Sequence, residues 1–205
     1  YPDSWYYEDV AYVYEASLMK GVSSTKFAPN ATLTRAEVVT VLYRLDGSPA
    51  VDGRSGFSDV PDEAYYSKAV TWAYHNGIVQ GVGNHEFQPQ KSITREQIAA
   101  IFYRYYAGYL DKSPSYASLS SYADEGSVSG FAREPMAWAV YSGLIRGIQA
   151  SHAAPLLEPQ STSTRAQVAA LMHRLDLLLQ DNSGCRSSQR IIDFIKEREG
   201  FSAKP

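Results

Sequence analysis

A shift of 60 residues carries Tyr6 onto Tyr66, Gly21 onto Gly81, Phe27 onto Phe87, Pro29 onto Pro89, Thr34 onto Thr94, Tyr43 onto Tyr103 and Arg44 onto Arg104, without a gap. A third copy follows with small insertions: Trp72, Gly77 and Gly81 map onto Trp138, Gly143 and Gly147, and Pro89, Thr94, Arg95 and Arg104 onto Pro159, Thr164, Arg165 and Arg174. The extra residues fall in IQASHAAPLLEP, between Gly147 and Pro159, which must therefore be a loop. An insertion inside a helix would rotate its buried face away. Internal repetition at this period restricts the fold more than any other feature, because each copy must solve the same packing problem.

Each copy reads as helix, glycine-rich loop, helix. In the second, Ala69, Val70, Ala73 and Ile78 recur on a roughly helical period, and Gly77 stands where that helix should stop. Its second helix carries Ile98, Ile101, Phe102 and Tyr105 at i, i+3, i+4 and i+7; Val38, Val41, Leu42 and Leu45 repeat the stripe, as do Val168, Leu171, Met172 and Leu175. Neither helix of one unit can bury its stripe alone. The three units are expected to pack around a common axis or to stack as a short solenoid, in an all-α fold.

The second helices open with TRAE at 34–37, TREQ at 94–97 and TRAQ at 164–167. Thr34 with Glu37, Thr94 with Gln97 and Thr164 with Gln167 fit the capping box, in which two side chains satisfy orphan amides. Leu33 with Val38 and Ile93 with Ile98 add a hydrophobic staple, which Ser163 breaks in the third copy. The arginine has no such reason. A cation in the first turn opposes the helix dipole at about 0.3–1 kcal/mol, whereas Arg44, Arg104 and Arg174 near the far end are favoured by it. Two explanations stand level. Open amides and a guanidinium could hold a carboxylate or phosphate, or the arginine could pair internally, with Asp59 or Asp124 or with a neighbouring unit. On the first, an arginine contributes little to its helix and its removal should leave the fold intact.

Composition narrows the function classes. With 205 residues and 44% apolar side chains the chain can bury a sizeable core. A formal charge of -3 and a pI near 5.8 make a nucleic-acid partner unexpected. No apolar run approaches the ~20 residues that span a bilayer, so no membrane insertion is expected. Cys185 is the single cysteine, which excludes an internal disulfide and a multi-cysteine zinc site. His75, His85, His152 and His173 lie apart with no paired-ligand spacing, and neither a metal nor a cofactor is assigned.

The succession F-x-D-V, aromatic-rich helix, G-I-x-x-G, F-x-P and I-T-R-A-E resembles the surface layer homology (SLH) motif, which occurs as three tandem copies of about this length. Phe57, Asp59, Val60, Trp72, Gly77, Ile78, Gly81, Phe87, Pro89, Ile93, Thr94 and Arg95 carry the match. The resemblance implies three helix-loop-helix repeats packed as a pseudo-threefold trimer around a central helical bundle: residues 1–48 (shortened at its start), 57–108 and 119–179. It also implies inter-repeat grooves that bind a secondary cell-wall polysaccharide linked to peptidoglycan, often through a pyruvylated amino sugar. Its ligand-binding candidates are Arg35, Arg95, Arg165, Asp59, Asp124, Trp72, Trp138, Gly81 and Gly147. An extracellular location at the bacterial cell surface or wall and a monomer with internal symmetry follow from it.

Departures bear on the number of grooves. The sequence begins at the counterpart of Pro61, so the first unit shows no F-x-D-V stretch, and one groove is expected to be incomplete. Tyr12 stands in place of Trp72 and Trp138, Tyr122 in place of Phe57, and Leu157 in place of Phe87. The tryptophans are read as packing residues with a partly exposed edge. Residues 180–190 read as a linker and 191–205 as the start of a further domain. There I-K-E-R-E-G-F resembles the opening of phage-type lysozymes, with Glu199 at the general-acid position. The chain is thus expected to be a non-catalytic wall anchor, the alternative being the targeting part of a peptidoglycan-degrading glycoside hydrolase.

Overall fold

The computed structural model describes residues 3–148 and 154–182. The linker beyond 182, Cys185, Glu199 and the lysozyme-like stretch lie outside the described residues, as does His152. Six α-helices follow in order: α1 (Tyr7–Glu15), α2 (Arg35–Leu45), α3 (Ser67–His75), α4 (Arg95–Tyr103), α5 (Arg133–Tyr141) and α6 (Arg165–Asn182). Helix α4 runs on as a π-helical turn, Arg104–Tyr109, and short 3-10 turns at Glu125–Ser127 and Gly130–Ala132 precede α5. Among the described residues extended pairing is confined to isolated bridges, and the fold is all-α.

The apolar stripes are buried as their spacing requires: Val38, Val41 and Leu42, then Ile98, Ile101, Phe102 and Tyr105, then Val168, Leu171, Met172 and Leu175. They are not buried within their own unit. Helix α2 packs on α3, α4 on α5, and α6 on α1. Each pair joins the second helix of one unit to the first helix of the next, and the last pair closes a ring. That closure decides between the two architectures the sequence left open, because a solenoid would not bring α6 back to α1.

The ring has a hydrogen-bonded hub. Leu33 N donates to Ser163 O, Ile93 N to Leu33 O and Ser163 N to Ile93 O, each at 3.1 Å, so the three residues preceding the threonine caps form a closed cycle. Leu33, Ile93 and Ser163 are all buried there. The capping boxes are also made: Glu37 N donates to Thr34 Oγ1 at 3.2 Å and Thr34 N to Glu37 Oε2 at 2.7 Å. The box is loosest at Thr94, where Thr94 N donates to Gln97 Oε1 at 3.3 Å but the threonine hydroxyl is buried without a partner.

At the junction of α6 and α1 the pairing of aromatic rings becomes polar. Where the other two helix pairs set Tyr43 against Trp72 and Tyr103 against Trp138, this one stacks Tyr12 on His173 at 3.9 Å between centroids. His173 Nδ1 lies 2.8 Å from Asp9 Oδ1, and the Tyr12 hydroxyl donates to Asp176. No helix among the described residues is long and apolar enough to cross a membrane.

Ser163 is the flaw in the hub. Its hydroxyl is buried with no partner, where its counterparts are leucine and isoleucine. A buried unsatisfied hydroxyl costs roughly 1–3 kcal/mol, so Ser163→Ala, which removes the group without adding volume, is expected to raise Tm by about 2–4 °C. Calorimetry checks this, and a fall of several degrees would show that the hydroxyl contributes to the hub.

Candidate functional site

The repeated arginine belongs to the neighbouring unit as much as to its own helix. Arg35 Nε donates to Phe87 O at 2.8 Å and its Nη2 to Gln80 O at 3.3 Å. Arg95 does the same to Leu157 O at 2.8 Å and Arg146 O at 3.3 Å. Arg165 closes the circle on Phe27 O at 2.8 Å and Lys20 O at 2.6 Å. Each guanidinium thus clamps both ends of the loop in the unit ahead of it. Arg35 and Arg165 also lie over the rings of Phe87 and Phe27, 4.7 and 4.6 Å from the centroids, where cation–π attraction adds to the hydrogen bonds.

Of the partners the sequence left open, it is the neighbouring unit that the arginine takes, through backbone carbonyls and not through a carboxylate. The first-turn amides are not open to an anion: Arg35 N donates to Lys91 O and Ala36 N to Pro89 O, both at 3.0 Å, and Thr34 takes the next. The same bonds recur from Arg95 N to Ser161 O and from Arg165 N to Ala31 O, at 3.0 and 2.8 Å. Nor do the carboxylates pair with the guanidiniums. Asp59 accepts from Phe87 N at 2.8 Å and Gln88 N at 2.7 Å, and Asp124 from Leu157 N at 2.7 Å and Glu158 N at 2.8 Å. One peptide segment is therefore held from both sides, its carbonyl by the previous unit's arginine and its amides by its own unit's aspartate. The first unit's loop has no counterpart of Asp59 in this sequence.

Burial and charge are consistent with that division. Arg35, Arg95 and Arg165 are 5%, 7% and 7% exposed, and desolvation lowers their pKa from the usual arginine value, which is high enough to keep them protonated. The Arg104 charge lowers Arg35 further and Asp59 opposes it. Nε and Nη2 are committed to carbonyls, whereas Nη1 has no protein partner among the described residues.

Arg165 and Arg95 each line a groove between units. One, of about 180 Å³, is lined by Lys20, Glu37, Arg44, Tyr65 and Arg165 among others. The second, of about 160 Å³, is lined by Trp5, Arg95, Arg146, Ile148, Gln167 and Arg174 among others. Each therefore sets a first-turn arginine from one unit beside an arginine farther along the second helix of the next, Arg44 in the last turn of α2 in one groove and Arg174 within α6 in the other. The pairing recurs at Arg35, which feels Arg104, whose Nη2 donates to Gln80 Oε1 at 3.2 Å. Arg44 and Arg174 are steadied by Leu18 O at 2.9 Å and Leu144 O at 3.0 Å.

The remaining expected ligand residues sit behind the grooves. Trp72 and Trp138 are 2% and 1% exposed, so the exposed edge expected of them is absent; Trp72 is enclosed by Tyr43, Tyr105 and Tyr109. Gly81 and Gly147 are required by close approach. A Cβ would stand 2.8 Å from Glu86 O at the first and 2.6 Å from the Tyr122 ring at the second. The aromatic rings that do face solvent went unmarked in the sequence: Trp5 is 65% and Tyr65 67% exposed, both line grooves, and the repeat shift relates them to each other and to the exposed Phe131. The signal was present in the repeat alignment, as was the recurrence of Arg44, Arg104 and Arg174, which the helix dipole alone had seemed to explain.

The clamp sets an expectation for stability. Arg35→Ala removes two hydrogen bonds from a charged donor and leaves Phe87 O and Gln80 O unpaired, so the loss is roughly 2–4 kcal/mol, read by urea unfolding. This replaces the expectation that the fold survives intact. A loss below about 0.5 kcal/mol would mean that the loop holds its place without the guanidinium.

Comparison with known proteins agrees with this geometry. The family profile of the S-layer homology domain matches residues 1–39 and 56–99. An endoglucanase of Bacillus sp. (strain KSM-635) is 34% identical over 173 residues, 84% of this chain and 18% of that protein. An amylopullulanase of Thermoanaerobacterium thermosulfurigenes is 30% identical over 173 residues, 84% of this chain and 9% of its own length. The surface-layer 125 kDa protein of Lysinibacillus sphaericus is 30% identical over 167 residues, 82% of this chain and 14% of its own. The chain spans less than a fifth of each of these relatives. By this profile residues 1–39 and 56–99 match the S-layer homology domain, and the third unit repeats their arginine clamp.

Proposed function

We propose that the chain is a non-catalytic anchoring module that holds a larger protein on the bacterial cell wall by gripping a secondary cell-wall polymer attached to peptidoglycan. An acidic sugar, a pyruvylated amino sugar in particular, is the group the arginines read. The observation that carries this reading is the repeated pairing of two guanidiniums with an exposed aromatic ring in the clefts between units. A pyruvyl ketal offers a carboxylate to a planar, permanently charged donor, and an aromatic ring offers an apolar face to the sugar. Extracellular location at the cell surface or wall follows from the S-layer homology domains and from the surface-layer protein among the relatives.

The same region occurs in an endoglucanase, an amylopullulanase and a surface-layer protein. Proteins that different in name share a task other than catalysis, which supports anchoring. The ring buries the stripes of all three units within one chain, which supports a monomer. A lysozyme-type parent rests on the wording of residues 191–205 alone.

Co-sedimentation with wall sacculi tests the reading. The chain is expected to pellet with native sacculi and to stay in solution once acid has stripped the secondary polymer; equal pelleting with both would overturn it in favour of self-assembly or of direct peptidoglycan binding. Trp5→Ala, on a ring that is largely exposed, is expected to weaken that binding several-fold with Tm unchanged. Unaltered binding would remove Trp5 from the contact surface.

A further inference from the structure

The grooves differ at two repeat positions that the fold does not constrain. The loop position whose carbonyl receives Nη2 of the clamping arginine is Lys20, Gln80 or Arg146, all with exposed side chains. The capping residue at the third helical position is Glu37, Gln97 or Gln167, all partly buried. In the first unit's groove Lys20, Arg44 and Arg165 face a carboxylate, since Glu37 lines the same cleft and its charge opposes the desolvation of Arg165. At the corresponding place in the second unit the loop position is neutral and Gln80 engages Arg104. The third unit's groove brings Arg95, Arg146 and Arg174 to one cleft with Gln167 in place of the glutamate, and among the described residues no carboxylate lines it. The Arg146 charge lowers the Arg174 pKa and the Arg174 charge lowers that of Arg95, so the three cations act on one another. Asp124 and Glu158, which act on Arg95 from the other side, are not in the lining, and Asp124 is occupied by two backbone amides.

We propose that the grooves are unequal and that the third unit's groove, with Arg95, Arg146, Arg174 and Trp5, is the principal anion site, built to take two negative charges at once. The first unit's groove, where Glu37 offsets one cation, takes a single charge. This rests on the wall-anchoring reading and deepens it: the polymer segment seated in the third groove carries two acidic groups, on one sugar or on neighbouring sugars. Glu158 and Asp124 offset part of the charge on Arg95 and Asp9 part of that on Arg174, but no carboxylate among the described residues lines the groove, so its three guanidiniums leave room for a second negative charge after the first.

Native counterparts supply variants that keep the caps. Gln167→Glu places in the third groove the residue that the first groove carries, Glu37→Gln does the reverse, Arg146→Gln copies the second unit, and Arg104→Gln alters the second unit alone. Titration calorimetry of the full chain uses three probes: an N-acetylhexosamine with one pyruvyl ketal, the same sugar also bearing a phosphate, and a disaccharide with two ketals. Both two-charge probes are expected to bind more tightly than the first if either source of charge serves; a preference for only one of them identifies the source. Gln167→Glu and Arg146→Gln are expected to weaken two-charge binding about tenfold, more than Arg104→Gln does, whereas Glu37→Gln, which removes the first groove's carboxylate, is not expected to weaken it.

The inference is overturned if Arg104→Gln costs most, if Gln167→Glu changes nothing, or if one-charge and two-charge probes bind alike. Those outcomes leave the anchoring reading standing as long as the chain pellets with native sacculi and not with stripped ones. Failure of the unaltered chain both to pellet and to bind any probe overturns both.

Discussion

One contact, a buried guanidinium reaching across to the backbone carbonyls of the neighbouring unit's loop, underlies the rest of the molecule. Because Arg35, Arg95 and Arg165 each reach forward by one unit, three such contacts close a ring. Closure brings α6 against α1 and buries three stripes that no unit could bury alone. It also uses up the first-turn amides, which donate to the next unit's loop instead of waiting for an anion. The unfavourable position of a cation at a helix start is offset by charged hydrogen bonds, each contributing roughly 1.5–3 kcal/mol.

Helix existence and the buried faces were legible in the sequence, since they depend on spacing within about a dozen residues. Ala69 to Ile78 and Ile98 to Tyr105 show this well. Ring against solenoid was not legible, because it is decided by contacts such as that between Arg165 and Phe27, 138 positions apart. The arginine's partner was hidden for a different reason. Sequence patterns display side chains, and a search for a carboxylate finds Asp59 and Asp124, whereas the true acceptor is a backbone carbonyl that any residue could supply. Asp59 binds the same loop, but it holds the amide side.

The tryptophans, read as packing residues, do pack, but without the exposed edge expected of them. Trp72 and Trp138 stand out in the repeat, and a sugar-binding expectation draws attention to the most distinctive rings, yet their regularity comes from packing against Tyr43 and Tyr103. Trp5 and Tyr65 differ in type between units and so look unremarkable, although they are the rings the grooves expose. In a repeat protein, identity across copies marks what the shared scaffold needs, and variation at an exposed, equivalent position marks where copies can differ in what they bind.

In the proposed reading scaffold and binding surface meet in one side chain, with Nε and Nη2 holding the ring together and Nη1 left to meet the ligand. Titrating the chain with matched pyruvylated and unpyruvylated fragments of the wall polymer tests this most directly. A charge-assisted hydrogen bond to the free edge predicts at least a tenfold advantage, about 1.4 kcal/mol or more, for the pyruvylated fragment. Indistinguishable affinities would contradict the account and leave the arginines as ring fasteners alone.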